Sequence, residues 1–191
     1  MNDEHTTREL MEQLGEDCDR CHAELIECID AGKVDDDGSV HADYEYHARQ
    51  LVRAVFAYIE ATTFSVKVRS AGHCMEHGIE ITPQERYFAT DTEYEINDRG
   101  EIVEAVAKIS LARNIRFALA MKRKAYGIAN PFDASVEWWS CLREAIKIRD
   151  RLTHPKMPGD LNVSGDDIVK VLKAKQGFEE ELLHHGGRPA D

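Results

Sequence analysis

The sequence predicts a mainly α fold, a helical bundle that carries one β-hairpin insertion. Three observations lead there. Apolar residues recur at helical spacing over long stretches, as in Leu51, Val52, Val55, Phe56 and Ile59. Ser, Thr or Asp precedes such stretches, and Gly or Pro follows them. One central segment breaks the pattern, with threonines and aromatics on one side of a turn. The chain has 191 residues, 42% of them apolar, enough for one domain with a real core. The expected organisation is a single domain over residues 1–185, with 186–191 as a flexible tail.

The elements follow in order. Thr6 or Thr7 can cap a first helix running to about Asp30, because an acid-rich turn follows them. Residues 32–38 form a loop by composition. A long second helix runs from near Val40 to near His73, weakened in its middle by the run Thr62 to Val66. Gly78 stops it. The β-hairpin covers about residues 87–106, with Asn97-Asp98-Arg99-Gly100 as its turn. A helical reading of residues 101–126 competes with it.

A third helix spans about Leu111 to Tyr126, and Asn130-Pro131 breaks the chain. Asp133 or Ser135 caps a fourth helix. Pro155 disfavours helical geometry at His154, so that helix ends near Thr153. Beyond the loop Pro158-Gly159-Asp160, Ser164 caps a last helix to about His184.

Composition removes several classes of function. Mean hydropathy is −0.48 and no apolar run approaches a membrane span, so no membrane association is expected. Residues Met1 to His5 lack the basic and apolar regions of a signal peptide. The expectation is a cytoplasmic protein whose five cysteines are reduced. A net charge of −12 argues against a general nucleic-acid coat. The charge is uneven, however. Residues 1–40 hold 13 acids against 3 bases, whereas residues 108–156 hold 11 Lys and Arg against 4 acids. One part should repel polyanions and another attract them.

The end of the fourth helix is the most informative stretch. Trp138, Cys141, Ala145, Ile148 and Leu152 form one apolar line, and Trp139, Leu142 and Ile146 a second. Arg149 stands where the second line would continue. An arginine there needs a partner, a polar groove or an anionic ligand. Asp150 and His154 are four apart and can share a face. Arg149 and His154 are five apart, about 140° around an ideal helix. They converge if the helix stops at the histidine, or if two chains bring them together. His154 also sits at a helix C-terminus, where the dipole favours its charged form. Arginine, an acid and histidine suit phosphodiester chemistry. A histidine exchanges protons near neutral pH, and a guanidinium holds a phosphate as its charge changes. No metal is required if the ribose 2′-hydroxyl is the nucleophile.

The run Arg149-Asp150-Arg151-Leu152-Thr153-His154 resembles the Arg-x4–6-His motif of the HEPN superfamily, the higher eukaryotes and prokaryotes nucleotide-binding domain. The resemblance implies a HEPN-like helical bundle, and for many members a metal-independent endoribonuclease. The family includes toxins of toxin–antitoxin pairs and phage-defence proteins. Its motif often has Asn or Asp directly after the Arg, and Asp150 fits. By that resemblance Arg149 and His154 are catalytic, and Asp150 orients them. The expected reaction is 2′-hydroxyl attack on RNA, leaving a 2′,3′-cyclic phosphate and a 5′-hydroxyl. Lys147, Arg151 and Lys156 would hold neighbouring phosphates. The family's habit implies a homodimer with a composite cleft, and its biological setting a cognate antitoxin or regulatory partner. No cofactor and no metal are expected. The hairpin departs from a minimal bundle. The alternative is a non-catalytic HEPN-like module for nucleotide or RNA binding or for dimerisation. In the plainer reading, Arg149 bonds an acid on another helix and His154 caps the helix end.

Other motifs carry less. Cys18-Asp19-Arg20-Cys21-His22 matches a haem-attachment pattern but lies within an amphipathic helix. Cys18, Cys21, Cys74 and His77 have the composition of a zinc set, although zinc pairs favour tight knuckles over mid-helix positions. Cys18, Cys21 and Leu25 also fit simple core spacing. Lys122-Arg123-Lys124, with Arg113 and Arg116, either extends an RNA groove or forms a solvated helix end. Trp138 and Trp139 suit packing better than base stacking. The acidic first helix is a solubilising face, an electrostatic screen or a binding site for a basic partner.

Overall fold

The computed structural model describes residues 2–31 and 42–183. The predicted loop at 32–38, the His184 end of the last helix and the 186–191 tail lie outside those residues. The described chain is mainly helical and carries one hairpin. The helices are α1 (Asn2–Asp30), α2 (Ala42–Glu76), α3 (Pro83–Ala89), α4 (Leu111–Ala125), α5 (Glu137–Thr153) and α6 (Gly165–Leu183). The strands are β1 (Thr92–Ile96) and β2 (Ile102–Val106), and a short 3-10 turn covers Pro158–Leu161.

Contacts divide the chain into two compact units. The first combines α1, α2 as far as Ala61, α5 and α6 as far as Glu181. The second runs from Thr62 to Asp133 and takes up Leu182. In the first unit, α5 turns Trp139, Leu142, Ala145, Ile148 and Leu152 inward. On α2, Leu51, Val52, Val55, Phe56 and Ile59 are buried, following the predicted period. Helices α5 and α6 approach closely at Gly177, where an added Cβ would lie 2.2 Å from the Trp138 Cβ.

In the second unit, Ala71 of α2, Ala89 of α3 and Met121 of α4 form a small core, with Ile81 and Phe117 against it. The threonine-rich run on α2 does not interrupt the helix. Thr62, Thr63 and Ser65 are buried there, and tertiary packing overrides their weak helix preference. Gly78 ends the helix as predicted, at a positive φ of 66° that glycine adopts without strain. The Ile79 N–H donates to the Cys74 carbonyl at 2.8 Å to close the last turn.

Three predicted boundaries are corrected. Thr6 and Thr7 do not cap α1, because helix already runs from Asn2. The backbone cap of α5 is Val136, neither Asp133 nor Ser135. The hairpin is shorter than 87–106, because Tyr87 and Phe88 belong to α3. That helix starts with a reciprocal cap. Thr82 Oγ1 accepts from the Glu85 N–H at 3.1 Å, and Glu85 accepts from the Thr82 N–H at 2.7 Å. Pro83 supplies the fixed φ of a first helical residue.

The hairpin turn falls at 97–100 as predicted. Asn97 Oδ1 accepts from the N–H groups of Arg99 and Glu101, and Gly100 takes φ 75°. The competing helical reading fails for residues 102–106, which pair with β1 in register from Ile96↔Ile102 to Thr92↔Val106. Lys67, fully buried on α2, binds the Asp91 carboxylate and the Phe88 carbonyl, and so anchors the link between α3 and β1.

Candidate active site

Helix α5 ends where Pro155 requires. His154 is its C-cap, with φ −128°, ψ 58° and its N–H donating to the Asp150 carbonyl at 3.0 Å. The Thr153 hydroxyl donates to the Arg149 carbonyl at 2.8 Å. The Arg149 and Asp150 carbonyls of the last turn are thus bonded, and the His154 ring is left exposed. Among the described residues that ring makes no hydrogen bond and no ion pair.

Arg149 receives the partner that its position in an apolar line demanded. Its guanidinium binds Glu60 of α2 and donates to Asp150 at 2.9 Å. It also lies 6.0 Å from the centre of the Phe56 ring. The Arg149 side chain keeps 31% of its exposure and Glu60 41%, so water and ligands reach this group. The structure thus brings Arg149, Asp150 and Glu60 together. The His154 ring is bonded to none of their side chains among the described residues.

The three residues expected to hold phosphates differ in their placement. Lys147 pairs with Glu144 at 2.7 Å on the exposed flank of α5. Arg151 donates to Asp167 at 2.7 Å and to the carbonyls of Asp160 and Asn162. Arg151 therefore ties α5 to the 3-10 turn and to the start of α6. Asp167 is shared, because it also accepts from the Ser164 N–H while Ser164 accepts from the Asp167 N–H, each at 3.1 Å. That reciprocal pair is the predicted Ser164 cap. Lys156 extends its ammonium into solvent with no hydrogen bond or ion pair among the described residues. Its main-chain N–H and that of Met157 donate to Asp160 at 2.7 and 3.0 Å. These two bonds hold the Asp160 carboxyl below its ordinary pKa.

The other basic cluster is structural. Lys122 and Arg123 are buried. Lys122 binds the Leu182 carbonyl, and Arg123 donates to the Asn130 carbonyl at 3.1 Å and lies over the Phe132 ring. Lys124 pairs with Glu85 at 2.8 Å. The three side chains of this run are thus each held by another part of the chain. Arg113 and Arg116, by contrast, are exposed. Trp139 is buried and Trp138 packs edge-on against it at 5.7 Å, as the apolar spacing indicated.

All five cysteines are free thiols. No group of three or more His, Cys, Asp or Glu side chains among the described residues is arranged to hold a metal. No described helix is long and apolar enough to cross a membrane.

Sequence reasoning did not name Glu60. A signal for it existed. Glu60 is four residues after Phe56, so it flanks the apolar face of α2 as Arg149 flanks that of α5. Two opposite charges interrupting two apolar faces are complementary exceptions, although 89 residues separate them. Comparison with protein-family models, curated proteins and solved structures gives no match to this chain.

Proposed function

We propose that the chain is a metal-independent endoribonuclease of the HEPN type. The observation that carries this reading is the end of α5, where an exposed His154 imidazole follows, within one helical turn and a half, an Arg149 guanidinium oriented by two carboxylates. In the proposed reaction His154 moves a proton to or from the reacting oxygens. Arg149 exchanges a carboxylate for the scissile phosphate and stabilises its growing charge. Asp150 holds the guanidinium in plane. Lys156 is available to a neighbouring phosphate, whereas Lys147 and Arg151 would first have to leave their acids. The site works as a homodimer, since His154 and Arg149 are not joined within one chain and a second copy can complete the pair. Its setting is phage defence or a toxin–antitoxin pair, with a partner that restrains it.

The test is RNA cleavage by the wild type beside Arg149→Ala and His154→Ala. Each variant should lose at least about a hundredfold in rate, with helical circular dichroism and oligomeric state unchanged. Asp150→Asn should lose less.

The Glu60–Arg149 ion pair favours a second reading, in which the same residues only fasten α5 to α2 and the module binds without cutting. That reading expects Arg149→Ala to lower the melting temperature and to leave no activity to lose.

A further inference from the structure

The hairpin carries a surface that the proposed reaction does not use. Its register places Thr92, Tyr94 and Ile96 on one face with Ile102, Glu104 and Val106. Ile96, Ile102 and Val106 are 74, 74 and 76% exposed, and Tyr94 44%. Side chains of this kind are the ones a soluble ribbon ordinarily covers. Tyr87 of α3 continues the face, edge-on to Tyr94 at 4.8 Å.

The backbone is open as well. The bonds Asn97 N–H to Glu101 and Ala107 N–H to Asp91 fix the ladder's phase. In that phase Glu93 faces Ala105, and Glu95 faces Val103, through hydrogen bonds. The peptide groups of Thr92, Tyr94 and Ile96 therefore point away from β2. The sheet has two strands among the described residues, so this edge of β1 has no partner strand there.

Charge decides what the edge will accept. Residues 91–106 hold six acids and one base. Along β1 the acids alternate with the open face, since Glu93 and Glu95 point opposite to Tyr94 and Ile96. A second copy is a poor occupant. Antiparallel pairing of β1 with its own copy about Tyr94 sets Glu93 opposite Glu95 twice, and like charges across a ladder destabilise it. A nucleic acid is repelled outright. We propose that the outer edge of β1 accepts an added β-strand from another protein, one that alternates apolar with basic residues. Its apolar side chains would lie beside Tyr94 and Ile96, and its Lys or Arg beside Glu93 and Glu95.

The test uses the full chain and a blocked heptapeptide, Val-Lys-Val-Lys-Val-Lys-Val, with a control of the same composition whose lysines are grouped. Amide hydrogen exchange is read residue by residue. The expected result is slowed exchange at Thr92, Tyr94 and Ile96. Ile96→Thr and the pair Glu93→Gln with Glu95→Gln should each weaken binding at least tenfold. These positions sit on an exposed ribbon, and an unchanged melting temperature checks that the fold survives. Unchanged exchange at these amides with millimolar peptide overturns the proposal. Equal binding of the grouped control also overturns it, because plain charge attraction would then suffice. So does self-association that Ile96→Thr abolishes, because a second copy would then own the edge.

Discussion

Arg149 shows how the packing of a helix accommodates a single charged side chain. It interrupts an apolar line on α5, and the interruption is compensated by Glu60, Asp150 and the Phe56 ring. The pair is partly open to water, so its worth to stability is small. Glu60→Gln should cost under about 1 kcal/mol, seen as a small drop in melting temperature. A loss of several kcal/mol would mean that the pair is a structural clasp. The sequence announced that Arg149 needed a partner. It did not announce which one, because ion pairing depends on how two helices meet and leaves no local pattern. Cys18 makes a second residue-scale case. Burial pushes its thiol up to about 11, with a smaller opposing effect from Lys175. At pH 8 it is therefore a neutral, covered thiol. Iodoacetamide should leave Cys18 unmodified in the native protein and label it once denaturant is added, as read by mass spectrometry. Rapid native labelling would contradict its burial.

At the scale of elements, helix ends and packed faces were legible and tertiary exceptions were not. Ser164, Gly78 and Pro155 marked boundaries that the structure keeps, because each acts through its own backbone. Helix α3 was missed even though Thr82-Pro83-Gln84-Glu85 spells out its cap, since the threonines and aromatics that follow read as strand. Lys67 was equally hidden, because its partner Asp91 lies 24 residues ahead and on another element. The junction of α5 and α6 gives a sharper prediction. Gly177 is buried inside α6, where alanine would raise helix propensity by about 1 kcal/mol. The added Cβ would, however, sit 2.2 Å from the Trp138 Cβ. Overpacking of that kind costs about 1–3 kcal/mol, so Gly177→Ala should lower the melting temperature by several degrees. A rise would show that the two helices part easily.

For the whole molecule, charge is the governing quantity. A net charge of −12 sets the chain against itself at low ionic strength. The eight acids from Glu9 to Asp30 share α1 with few bases. Raising salt from about 20 to 300 mM shortens the Debye length several-fold, and the first unfolding transition should move up in temperature. A fall would mean that ion pairs such as Arg151–Asp167 and Lys124–Glu85 outweigh the repulsion. The mainly helical class and the hairpin were legible because they follow from periodicity and turn chemistry. The proposed site was named from a motif, and the contact of Arg149 with Glu60 was not legible, since Glu60 comes from a distant part of the chain.

The most direct measurement is RNA cleavage in EDTA, with analysis of the new ends, by the wild type and by His154→Ala at equal oligomer content. The proposed chemistry predicts cutting without metal, 2′,3′-cyclic phosphate and 5′-hydroxyl ends, and loss of both in the variant. It also predicts that a strand with 2′-O-methyl groups throughout stays intact. Cleavage that the variant retains, or that requires a divalent cation, would contradict it.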